Sequence, residues 1–427
     1  MQEAWRLTAS QAARAIAAGE LTSEALVRAC LARIEVREPQ VGAWAWLDPA
    51  LAIDEARQRD RQAREREHAH LGPLHGLPVG VKDVFDTHDM PTQQNSELRT
   101  RHQPARDAAA VALLRTAGAV ILGKTETQEF GAGGRLARTR NPHDAARTPG
   151  GSSSGSAAAV SDAMVPLALG TQTGGSLIRP ASYCGAYAMK PTWNAVSREG
   201  AMGSSISQDT VGWYGRSVED LALMAGALGA LREPAPQPDA SLSVALCRTP
   251  MWQHADEFSR AALEAAADHI GRAGGRLDNL ELPSHFERLN ELSRVIMAGE
   301  GRTAFLPDYR SARELLHEDF RSYVENSSGI TSTQLCEALD FSAACRAEFD
   351  RIAAPYDAVV VPSAPGEAPL LPGKGDSVFQ RMWTLLHAPC INLPLHRGPH
   401  GLPIGVTLVS GRHADARLLA AAARILS

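Results

Sequence analysis

At 427 residues, with 44% hydrophobic and 21% charged side chains, the chain has the make-up of a folded globular protein, long enough for one large domain or two ordinary ones. A formal net charge of −5 supplies no basic field and excludes nucleic acid as the main ligand. Cys30, Cys184, Cys247, Cys336, Cys345 and Cys390 are scattered without a CxxC pair, and the sequence carries neither a signal-like N-terminus nor a run of about 18 apolar residues, so a cytoplasmic, reducing location is expected, with no membrane partner, disulfide framework or zinc site.

The first predicted elements are two helices. Thr8 and Gln11 make a capping box, Gly19 interrupts, and Thr22 with Glu24 starts a second helix in which Val27, Leu31 and Ile34 share a face. The mixed-sign run from Arg57 to Glu67 has no helix breaker and reads as a solvated helix face. From about Leu74 to Gly212, short apolar runs such as Leu77-Pro78-Val79-Gly80-Val81 and Ala119-Val120-Ile121-Leu122 predict strands buried on both faces, alternating with helices over 107–117 and 156–164. A proline-rich break at 232–240 precedes a helix-rich stretch, periodic near 257–273 and 333–352. Ala358-Val359-Val360-Val361 and Gly405-Val406-Thr407-Leu408-Val409 predict strands that rejoin the first sheet. The fold class is α/β.

Two polar, glycine-rich segments stand out against this frame. Gly150-Gly151-Ser152-Ser153-Ser154-Gly155 runs into the alanine-rich start of a helix, where free backbone N–H groups can meet a polar ligand, although a glycine-serine linker has the same composition. Gly170-Thr171-Gln172-Thr173-Gly174-Gly175-Ser176 follows an apolar run and sets a serine beside closely approaching amides, the pattern an oxyanion hole requires and a glycine turn shares. A serine nucleophile needs a base. Gly151 to Gly155 matches G-x-S-x-G around Ser153, but no strand leads into it, so it is not a nucleophile elbow. Lys82 closes the apolar run from Gly76 to Val81, a place where lysine is rare unless paired or functional.

The stretches GLPVGVKD from Gly76, TPGGSSSGSAAAV from Thr148 and GTQTGGSLIRPASYCG from Gly170 together resemble the amidase signature family. The likeness extends through Lys190-Pro191-Thr192, Ser207 to Gly212, Pro389 to Pro394 and Gly401 to Gly405, leaving 232–357 as the divergent part. Several separated motifs in order carry more weight than any single match. The resemblance implies the amidase signature fold, a central mixed β-sheet covered by helices on both faces. It implies one amidase domain over 1–427, divided into N-terminal helices (1–70), a signature core (71–231), a variable region (232–357) and a C-terminal return to the sheet (358–427).

Carried over by position, the resemblance implies Ser176 as acylated nucleophile, Ser152 as a relay serine held through a cis peptide, and Lys82 as base; the serines stand 24 positions apart, as in the family. Thr173, Gly174, Gly175 and Ser176 would form the oxyanion hole, Ser153 would support it, and Thr171 joins Arg179 as an expected substrate contact. Lys82 must be neutral to act, so its surroundings must lower a pKa of about 10.4 by roughly two to three units. Many members carry Asp where this chain has Gln172 and Arg where it has Ile178; Arg179, three places after the nucleophile, is similar to the malonamidase-type pattern and implies a clamp for a carboxylate-bearing amide.

No cofactor or metal is expected, and the partner is a small-molecule amide; a homodimer stays open. Gly118 to Thr125 matches GxxxxGK[ST], but its variable positions are all apolar and read as a strand, so no nucleotide site is expected there. His68, His70 and His75 lack a metal-ligand spacing and are expected in solvent. Two other functions remain open: the amidase subunit of a tRNA-dependent amidotransferase, for which the chain is short and Gln172 and Ile178 are departures, and a non-catalytic protein of the same fold.

Overall fold

The computed structural model describes residues 3–65, 71–231 and 242–427. The proline-rich break, His68, His70 and the end of the charge run lie outside the described residues. The predicted helix starts are present. Thr8 caps α1 (Ala9–Ala17) in a reciprocal capping box with Gln11, and the Thr22 side chain accepts from the Ala25 N–H at the start of α2 (Ser23–Val41). The charge run sits on α3 (Pro49–Glu65).

Eleven strands form one mixed sheet. In chain order they are β1 (Trp44–Leu47), β2 (Pro78–Lys82), β3 (Val120–Thr125), β4 (Leu167–Gln172), β5 (Tyr187–Lys190), β6 (Thr210–Gly215), β7 (Ser243–Cys247), β8 (Arg276–Leu280), β9 (Ala358–Pro362), β10 (Cys390–Arg397) and β11 (Pro403–Val409). Their order across the sheet is β1-β3-β2-β4-β6-β5-β10-β11-β9-β7-β8. β2 lies between β3 and β4 and runs parallel to both, so β2 and β4 end on the same side of the sheet. β2, β3 and β9 are buried along their whole length, which explains their unbroken apolar runs. The C-terminal strands do rejoin the first half, through the antiparallel pairing of β10 with β5.

The helices α4 (Ala109–Thr116), α5 (Ser154–Ser161), α6 (Ile178–Cys184) and α7 (Val218–Ala227) fall among the first six strands. Residues 242–357 hold α8 (Glu257–Arg272), α9 (Leu289–Ala304), α10 (Leu306–Ala312), α11 (Glu318–Val324) and α12 (Ser332–Ala353). That stretch is helix-rich as expected, yet it also supplies β7 and β8. β8 was not legible because it is a largely exposed edge strand of sequence RLDNL, without an apolar run or alternation. The short α13 (Arg381–Leu385) and the terminal α14 (Asp415–Leu426) complete the order.

Most of the apolar core is continuous, but Phe130, Phe305, Leu316 and Phe320 form a separate cluster. Ring centroids of Phe130 stand 5.6 Å from Phe305 and 5.2 Å from Phe320. This cluster ties the divergent helices to the loop after β3, and burial of each phenyl ring contributes about 2 to 3 kcal/mol.

Candidate active site

Lys82 ends β2 and is completely buried. Its Nζ donates to Ser152 Oγ at 2.9 Å and to Thr171 Oγ1 at 2.6 Å. No carboxylate pairs with it among the described residues, so burial pushes its pKa down to about 7, against a weaker upward pull from Asp209. The topology explains the meeting: Val81 of β2 is in register with Leu169 of the parallel β4, so Lys82 and the polar segment after β4 emerge side by side.

Ser152 stands in the loop before α5, and the Gly151–Ser152 peptide is cis. The loop is held from several directions. Gln128 N–H donates to the Ser152 carbonyl at 3.1 Å, Ser153 N–H to the Ser176 carbonyl at 3.2 Å, and Ser154 Oγ to the Gly150 carbonyl at 3.0 Å. Ser152 Oγ itself donates to the Gly131 carbonyl at 2.5 Å. Phe130 and Gly131 both have left-handed backbone, φ 53° and 69°. That conformation is uncommon for a phenylalanine, and the aromatic cluster around its ring offsets the strain. A Cβ on Gly131 would stand 3.3 Å from Lys82 Nζ, so glycine lets the acceptor carbonyl approach the buried amine.

Ser176 follows β4 and is partly exposed, whereas 172–175 and 177–180 are buried. Its hydroxyl forms no hydrogen bond with a described residue. The amides of Thr173, Gly174, Gly175 and Ser176 likewise find no acceptor among the described residues. Four consecutive donors without a partner are unusual in a folded chain and leave their N–H groups open to a ligand oxygen. Gly175 is required by packing, since a Cβ there would lie 2.5 Å from the Ser377 Cβ. Gln172 steadies the turn: its Oε1 accepts from the N–H groups of Leu177 at 3.1 Å and Ile178 at 3.0 Å, and its Nε2 donates to Thr384 Oγ1 at 3.0 Å. Ser153 Oγ exchanges hydrogen bonds with the Thr171 backbone, 3.2 Å from both its N and its O.

Thr171, expected as a substrate contact, has its hydroxyl on Lys82 and also lines a cavity with Gly131, Thr173, Met202 and Asp209. Arg179 is buried, with Nη1 donating to the Gly375 carbonyl at 2.8 Å and Nη2 to the Gly151 carbonyl at 2.5 Å. Both terminal nitrogens therefore hold backbone, and one holds the carbonyl of the cis peptide. Asp209 escaped the residue-by-residue reading, although it lies in the stretch Ser207 to Gly212. The carboxylate accepts from the Thr173 hydroxyl and from the N–H groups of Ser204 at 2.7 Å and Ser205 at 2.9 Å. Burial raises its own pKa.

His75, expected in solvent, is instead buried, with Nε2 2.9 Å from the Arg59 carbonyl. Lys124, in the segment that mimics a phosphate loop, is buried in β3 and paired with Asp83 at 3.0 Å. Among the described residues the only grouping of metal-type donors is His88, Asp89 and Asp107, and Arg115 already bridges both carboxylates at 2.7 and 3.0 Å.

A mixed sheet carries a buried lysine, two serines and a set of open amides at its strand ends, the groups that serine-dependent amide chemistry needs. The amidase family model matches residues 25–419, and the chain belongs to that family. It is 30% identical over 464 residues to a chloroplastic/mitochondrial glutamyl-tRNA(Gln) amidotransferase subunit of Sorghum bicolor, covering 94% of this chain and 85% of that protein. Against the corresponding amidotransferase subunit of Chloroflexus aggregans the identity is 37% over 303 residues, 66% of this chain and 62% of that one. The chain thus spans only 47 to 62% of the first bacterial relatives it matches. Among solved structures, an amidase aligns with TM-score 0.89 at 27% identity over 98% of this chain and 99% of that one. A peptide amidase from Stenotrophomonas maltophilia aligns with TM-score 0.84 at 27% identity, over 98% and 96%. No helix among the described residues is long and apolar enough to cross a membrane.

Proposed function

We propose that this chain hydrolyses the C–N bond of a small amide through an acyl-enzyme on Ser176, with Ser152 as relay and Lys82 as base. The carrying observation is the Lys82–Ser152 contact of 2.9 Å around an amine whose pKa burial brings to about 7. Ser176 Oγ attacks the carbonyl carbon and gives its proton to Ser152 Oγ, while Ser152 passes its own proton to Lys82 Nζ. The amides of Thr173 to Ser176 hold the carbonyl oxygen as it gains charge. Collapse breaks the C–N bond, the nitrogen takes the proton back from Lys82 through Ser152, and water then attacks the ester to free the acid and Ser176. Resting Ser152 donates to Gly131, so its hydroxyl turns toward Lys82 when Ser176 approaches.

Release of ammonia from a panel of small amides by the isolated chain, with Ser176→Ala as blank, tests this reading. Turnover that survives in the blank refutes it. The preference for a carboxylate-bearing amide, expected of Arg179, draws on the cationic surroundings of the oxyanion loop, where Arg381 lies near both Arg179 and Arg294. The names of the relatives favour one second reading, an amidase subunit within a tRNA-dependent amidotransferase. Copurification with partner subunits, and glutamine as the one amide consumed, would support it over independent turnover.

A further inference from the structure

Arg381 is the first residue of α13, and its guanidinium lies against the loop that carries the nucleophile. Nη1 stands 3.2 Å from where a Cβ on Gly174 would be, which puts it within about 5 Å of the Gly174 Cα. The backbone beneath it is fixed. Arg381 N–H donates to the Ser377 carbonyl at 3.2 Å, and the preceding Gln380 donates through Nε2 to Ser363 O at 3.1 Å and Thr407 Oγ1 at 3.1 Å.

What sets Arg381 apart is that its side chain makes no hydrogen bond or ion pair with any described residue, while its Nε is buried. Other arginines with an unpaired buried nitrogen have another one hydrogen-bonded, except Arg198, whose Nη1 faces the Asp209 carboxylate at 3.9 Å. Arg179 has two on carbonyls, Arg216 donates to the Trp5 carbonyl at 2.8 Å, and Arg346 to the Leu385 carbonyl at 2.9 Å. Burial and the nearby Arg294 push Arg381 down to about 10, even with Asp376 close by. A half-buried cation without a partner pays part of a desolvation cost, and an anion that binds beside it offsets that penalty. Arg381 Nη1 thus lies beside Gly174, one of the residues whose amide finds no acceptor, so an anion bound there would sit next to the oxyanion loop.

We infer that Arg381 is the specificity residue that receives a carboxylate of the substrate next to the oxyanion loop, and that Arg179 is a positioning residue that holds the Gly151 carbonyl. This deepens the amide-hydrolysis reading and rests on it. The short reach from Gly174 favours short dicarboxylic acid monoamides, with one carboxylate a few bonds from the scissile carbonyl.

The test compares malonamate and succinamate with propionamide and butyramide in the wild type, Arg381→Met and Arg381→Lys. The ratio of kcat/KM for the acidic over the neutral amides falls about 100-fold in Arg381→Met and partly recovers in Arg381→Lys. Arg179→Met lowers turnover of both kinds together and leaves the ratio alone. Malonate binding, measured by calorimetry on Ser176→Ala with and without Arg381→Met, reads the same site without turnover, and loses at least tenfold in affinity with the second change. An unchanged ratio in folded Arg381→Met, a ratio that follows Arg179 instead, or malonate binding that is absent or equal in the two proteins overturns the inference. Absence of all amide turnover alongside Arg381-dependent malonate binding would refute the hydrolase reading and not this one.

Discussion

On the proposed mechanism, the burial of Lys82 sets the pH dependence of the reaction, and it sets a pH dependence of stability as well. With a pKa near 7, about a tenth of the chains hold the neutral amine at pH 6 and about nine-tenths at pH 8, so kcat/KM for a neutral amide rises along a one-proton limb centred near pH 7. The sign for stability follows from the same shift. Below about pH 7 both folded and unfolded chains carry the proton, and the penalty of the buried cation is felt in full. Between about 7 and 10.4 the unfolded chain binds the extra proton, and stability rises by about 1.4 kcal/mol per pH unit. The total is about 5 kcal/mol. Lys82→Met removes that penalty but leaves Thr171 Oγ1 and Ser152 Oγ without their donor, a loss of about 1 kcal/mol each. The variant is therefore expected to be inactive and more stable than wild type by about 3 kcal/mol at pH 6, an advantage that has essentially vanished by pH 9. Urea unfolding of both proteins at the two pH values, with a pH–rate profile from pH 5.5 to 9, measures this. A variant that is less stable at pH 6 than at pH 9 relative to wild type, or a wild-type limb centred above pH 9, would refute the argument.

Ser176→Ala should abolish turnover and change stability by less than about 0.5 kcal/mol, because the hydroxyl has no partner to lose; thermal melts and ammonia release check the pair of outcomes. Asp209→Asn removes the charge that raises Lys82 and weakens the hold on Thr173. The acid limb should move to lower pH while kcat falls about 10- to 100-fold, and a limb that stays in place counts against the coupling. Phe320→Ala empties the cluster around Phe130 and is expected to cost about 3 to 5 kcal/mol by denaturant titration, with lost activity from a loosened Gly131 carbonyl. Gly175→Ala forces a Cβ into Ser377 and should lower kcat far more than it lowers affinity for a substrate analogue.

Local chemistry made much of this protein readable in advance. Thr8, Gln11 and Thr22 announce helix starts because a cap is satisfied within three residues, and β2, β3 and β9 show themselves as apolar runs because both faces are buried. The likeness of the Gly76, Thr148 and Gly170 stretches named Lys82, Ser152 and Ser176. Only the tertiary structure brings Lys82 within 2.9 Å of a serine 70 positions away and 2.6 Å of Thr171, 89 positions away, because those distances depend on the order of β2 and β4 in the sheet. The Gly131 carbonyl, the Asp209 carboxylate and the Arg381 guanidinium have no periodic or local signature at all. Each contributes through long-range packing, which places a group beside the loop without altering the residues around it in the chain. Arg179 makes the same point: its position three places after Ser176 suggested a ligand clamp, and the folded chain turns its guanidinium onto the carbonyls of Gly151 and Gly375.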